Sequence, residues 1–73
     1  NKMPVITLSK LELSALTPIL TAFSSVERFK ISHIQIKFKL TFKYAQYLVY
    51  LGIASGMILR TQKSYFFSIN KSQ

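Results

Sequence analysis

Few groups in this chain can move a proton near neutral pH. Glu12, Glu27 and His33 are the whole stock in 73 residues, and there is no cysteine. Disulfides and zinc–thiolate sites are therefore excluded, and no acidic pair exists to hold a metal. Ser32 and His33 are adjacent, but in an extended segment neighbouring side chains face opposite ways, so they cannot pair as nucleophile and base. Gly52 and Gly56 are the only glycines, and neither is followed by the Lys-Ser or Lys-Thr of a phosphate loop. No catalytic residue, metal ligand, cofactor or small-molecule substrate is expected, and the chain does not read as an enzyme.

The chemistry that remains is cationic. The formal net charge is +8, with ten Lys or Arg against two acids. Lys30, Lys37, Lys39 and Lys43 fall in one stretch with no acid, residues 44–59 carry no charge, and Arg60, Lys63 and Lys71 follow. Such an imbalance points to a polyanion, RNA or an anionic membrane face, since an ordinary soluble surface intersperses acids with its lysines. With 49% hydrophobic residues and ten aromatic rings, the composition is that of a folding chain. No secretory signal pattern is visible. Ile, Lys, Phe, Tyr and Asn make up 28 of the residues, a skew that accompanies AT-rich, organelle-type genes.

These cations need elements to position them, and one domain at most fits the length. Residues 1–13 show no clear period, and an extended N-terminal arm is expected over 1–16. Thr17-Pro18 is a helix-start signal, a Thr N-cap with Pro at the first helical position. Ile19, Ala22, Phe23 and Val26 then follow the spacing of an amphipathic helix ending around residues 27–30. From His33 to Leu40, Ile34, Ile36, Phe38 and Leu40 alternate with His33, Gln35, Lys37 and Lys39, which predicts a strand whose wet face presents the lysines. Thr41 can cap a second helix from Phe42 to about Ser55, closed by a left-handed Gly56 with Met57 behind it. Gly52 within that helix would allow close backbone packing on the sheet, or else mark the helix end. Met57–Thr61 and Tyr65–Ile69 predict a hairpin of uncertain register, because the turn lacks Gly or Asn. The expected fold is α/β in the order α-β-α-β-β: two helices on a small three-stranded sheet. Its parts are an arm (1–16), one domain (17–70) and a polar tail (71–73).

The uncharged run 44–59 allows an alternative, a single-span subunit of an organellar membrane complex. As one helix it would be about 24 Å long against a hydrocarbon core of roughly 30 Å, with Tyr47 and Tyr50 well inside the span. The core-helix reading also accounts for the strands on both sides.

The stretch from Pro18 to Ile69 resembles the N-terminal domain of small-subunit ribosomal protein family eight, which binds the central domain of the small-subunit rRNA. Thr17-Pro18-Ile19 stands where the family has Asp-Pro-Ile. Leu40-Thr41-Phe42-Lys43 stands at the Pro-Ser-Ser-Lys entry to its second helix, and Gly56-Met57-Ile58 at its Gly-Phe-Ile. The interval from Pro18 to Gly56 matches the family's without a gap. The first helix lacks the family's Arg-Asn-Gly ending, reading Val26-Glu27-Arg28-Phe29. The C-terminal domain with its Ser-Thr-Ser-x-Gly motif is missing, which implies a reduced form or one piece of a divided protein, with a separate chain supplying that domain. The resemblance implies a structural constituent of an organellar, mitochondrial small ribosomal subunit, scaffolding rRNA and neighbouring ribosomal proteins. The expected RNA-binding residues are Arg28, Lys30, Lys37, Lys39, Thr41 and Lys43; of these, Lys43 matches a family lysine.

Overall fold

Ser9, well before Thr17-Pro18, opens the first helix. Its hydroxyl accepts from the Glu12 N–H (3.1 Å) while the Glu12 carboxylate accepts from the Ser9 N–H (2.9 Å), a reciprocal capping box. A computed structural model describes residues 5–71. The elements in chain order are α1 (Lys10–Ala22), α2 (Ile31–Phe38), α3 (Phe42–Ala54), β1 (Ile58–Arg60) and β2 (Phe67–Ile69). Pro18 is therefore interior to α1 and not its start. An interior proline costs about 3 kcal/mol, while fully burying Leu16 and Ile19 on either side contributes roughly 1.5–3 kcal/mol each. Burial wins, and the helix runs through. Of the expected arm 1–16, residues 10–16 are helical and residues 5–9 are not, with the Ile6 N–H donating to the Ala54 carbonyl (3.0 Å). Residues 1–4, and 72–73 of the tail, lie outside the described residues.

The larger correction concerns residues 33–40. They form no strand: Ile31–Phe38 is helical, so the order among the described residues is α-α-α-β-β. Ile31, Ile34 and Phe38 lie at i, i+3 and i+7 and turn inward, Ile34 completely. Ile36, which strand alternation would bury, is 76% exposed. The eight residues satisfy both periods in part, and α3 packed alongside decides for the helix. The Lys30 N–H donates to Nδ1 of His33 (3.0 Å) at its start. Lys39 in the left-handed region (φ 56°) ends it and turns the chain into Thr41.

The second half follows its sequence signals. Thr41 caps α3, its hydroxyl accepting from the Tyr44 N–H (3.2 Å). At the far end Gly56 has φ 81°. Its N–H donates to Ile53 O (3.1 Å) and that of Met57 to Gly52 O (2.8 Å), the paired bonds of a Schellman closure. The helix thus runs past Gly52. A Cβ at position 52 would overlap the Ile58 side chain, so α3 and β1 touch through the missing methyl.

β1 and β2 are antiparallel, with Ile58 opposite Ile69 and Arg60 opposite Phe67. The sheet has two strands and not the expected three. A third is represented by one residue, Phe29, whose N–H donates to Phe67 O (2.7 Å) and whose carbonyl accepts from the Phe67 N–H (2.8 Å). The rings follow the backbone: Phe23 stacks on Phe29 (4.8 Å), which meets Phe67 (6.2 Å). The result is a mixed α/β fold with one core, drawn from all five elements and from Phe23 and Phe29 beside them.

Candidate nucleic-acid interface

The bridge at Phe29 sets the hairpin beside the start of α2, and a groove of about 750 Å³ opens between them. Lys30, Ile31 and Ser32 line it from the α2 N-terminus, Phe42 and Gln46 from α3, and Arg60 through Phe67 from the hairpin. A second hollow of about 540 Å³ shares Ile31, Gln46, Arg60 and Phe67 with it and adds Lys43, Tyr47 and Tyr50. The two form one channel along α3. Its charged lining is Lys30, Lys43, Arg60 and Lys63, with no acidic residue.

Two features sharpen this imbalance. Lys30 is the N-cap residue of α2, and Lys43 lies in the first turn of α3. Both helix ends carry partial positive charge, so each lysine opposes the local dipole. Arg28 and Lys30 also share one ring, with the Arg28 guanidinium carbon 5.0 Å and the Lys30 Nζ 5.3 Å from the Phe66 centroid. Each such contact contributes about 0.5–1 kcal/mol at an exposed site, but the two cations repel one another. An anion bound among these groups would relieve both conflicts.

The hairpin turn is built without glycine. The Thr61 hydroxyl accepts from the Lys63 N–H (3.2 Å) and lies within donating distance of the Lys63 (2.9 Å) and Phe66 (3.0 Å) carbonyls. Tyr65 then takes the left-handed conformation (φ 74°) that Gly or Asn would ordinarily supply, at a cost of about 1–2 kcal/mol. Burial does not offset that cost, because Tyr65 is 81% exposed.

Of the expected RNA-binding residues, Lys30 and Lys43 line the channel and Arg28 stands at its edge on Phe66. Lys37 and Lys39, expected on a strand face beside them, sit instead in the last turn of α2 and at the left-handed residue that ends it, outside the lining. Thr41 is engaged in capping α3. Sequence reasoning missed Arg60 and Lys63 and the rings of Phe42, Tyr47, Tyr50, Tyr65 and Phe66. Cations and aromatics interleaved over residues 60–66 were the available signal.

Residues 44–59, the span expected under the membrane alternative, are not one helix. They divide into α3, a turn and the start of β1, and no helix among the described residues is long and apolar enough to cross a bilayer. Nor do three His, Asp or Glu side chains gather as a metal site among the described residues. No family model, curated protein or solved structure matches the chain.

Proposed function

We propose that this protein is a structural RNA-binding module that takes the phosphate backbone along the channel between α2, α3 and the hairpin. One observation carries the reading: Lys30, Lys43, Arg60 and Lys63 line it, two helix N-termini open on it, and no acid is present. Phosphate contacts of this kind position a protein without reading sequence, so its role is scaffolding. The setting, an organellar small ribosomal subunit in the mitochondrion, rests on the sequence resemblance to ribosomal protein family eight. The strand expected over residues 33–40 is replaced by α2, while the expected helix from Thr41, the Gly56 turn and a hairpin after it do form. Neighbouring ribosomal proteins would meet the apolar face where Leu11 and Tyr44 are exposed.

The test is RNA affinity across a salt series. For the native chain the logarithm of affinity should fall linearly with that of salt concentration, by about 0.7 per single-strand phosphate engaged. Reversing Lys30, Arg60 and Lys63 to Glu should flatten the slope by about 2, whereas reversing Lys37 and Lys39 should change it much less. Equal effects of the two variants would remove the channel from the reading. Absence of salt-dependent RNA binding by the native chain would remove the function.

A further inference from the structure

Tyr65 has the least economical conformation in the hairpin and the most exposed ring in the channel. A bulky L-residue with φ 74° is strained, and an 81% exposed ring gains almost nothing from its surroundings. Glycine would close the same turn without strain. What the tyrosine adds is a π-face at the lip of the channel, on the hairpin segment that also carries Lys63 and Phe66. Phe66 is already covered by Arg28 and Lys30, which leaves Tyr65 as the free platform on that lip.

We infer that the channel is a single-strand site and that Tyr65 stacks an unpaired base while Lys30, Arg60 and Lys63 hold the adjoining phosphates. The inference rests on the RNA-binding reading and narrows it. A duplex offers phosphates but keeps its bases paired and stacked on one another, whereas an unpaired strand exposes the faces that aromatic side chains take. Charge complementarity selects a polyanion, and the exposed ring selects the single strand among polyanions. No covalent step is involved.

The full chain would be titrated with a fluorescently labelled, unstructured RNA of about a dozen nucleotides, and with the same strand annealed to its complement. Tyr65→Gly removes the ring and relieves the backbone, so its melting temperature should equal or exceed that of the native protein. It should weaken single-strand binding by about 5- to 100-fold, in keeping with loss of one stacked base, and leave duplex binding within about twofold. Tyr65→Phe, which keeps the ring, should bind as the native chain does. The inference is overturned if Tyr65→Gly binds the single strand normally, if both forms of RNA weaken equally, or if Tyr65→Phe is as impaired as Tyr65→Gly. In each of those outcomes salt-dependent RNA binding by the native chain still stands. Were the native chain to bind neither form in a salt-dependent way, the broader function would fail together with the single-strand site.

Discussion

At position 52, the difference between glycine and alanine is a methyl group with nowhere to go. Alanine is favoured over glycine in a helix interior by about 1 kcal/mol, so on propensity alone Gly52→Ala should stabilise α3. Its Cβ would meet the Ile58 side chain, itself only 1% exposed and packed in the core. Overpacking of that kind costs about 1–3 kcal/mol, and the Ile58 Cβ, which no rotamer change moves, lies at 3.0 Å as well. The expected net effect is a loss of up to about 2 kcal/mol, read as a lower melting temperature. A raised midpoint would mean that α3 and β1 are not in direct contact. Gly56 is demanding for a different reason. Its φ of 81° is a backbone requirement, and the Asn70 side-chain N–H donates to its carbonyl (2.8 Å), tying the helix stop to the end of β2.

Among the elements, α2 separates what was legible in the sequence from what was not. Thr41, Gly56 and Met57 are local signals, and the helix between them forms as the residues demand. The hairpin forms within the expected Met57–Thr61 and Tyr65–Ile69, but its strands are shorter, Ile58–Arg60 and Phe67–Ile69, and the turn carries no Gly or Asn to signal its register. Residues 31–38 carry two patterns at once, and the choice between them lies with α3. Pro18 concealed the Ser9–Glu12 capping box, because an N1 proline and an interior one look alike without the tertiary burial of Leu16 and Ile19. The site divides along the same line. Lys30 and Lys43 were found because their neighbours lack acids, whereas Arg60, Lys63 and Tyr65 reach the channel only when the hairpin folds back across Phe29. The helical reading of α2 is checked by contrasting two isoleucines. Ile36→Lys should leave stability within about 0.5 kcal/mol, because the side chain is exposed. Ile34→Ala should cost about 2–5 kcal/mol. A strand would bury both and make both substitutions severe.

For the molecule as a whole, charge and stability pull against one another. A net charge of +8 over principal extents of 35 × 29 × 22 Å is self-repelling, and a chain this short removes only about 60% of its unfolded surface from water. Added salt screens that repulsion and also competes with phosphates. The two effects have opposite signs for folding and binding. The melting temperature of the free protein should rise between low and moderate salt while RNA affinity falls, and RNA at low salt should raise the midpoint by mass action. A melting temperature that fell with salt would show that attractive ion pairs outweigh repulsion in the fold.

The Phe29–Phe67 bridge also bears on the order in which the channel comes into being. The capped helices, the α2–α3 turn and the hairpin join residues close in sequence, and such contacts close quickly. The bridge joins two residues with α2, α3 and most of the hairpin between them, so its loop entropy is met only after those parts exist. Its closure is therefore expected late in folding. Because it seats Phe67 and Phe66 beside Arg28 and Lys30, that wall of the channel is expected to assemble late. An RNA strand that engages both sides would then act as the clasp for the protein's own late folding step.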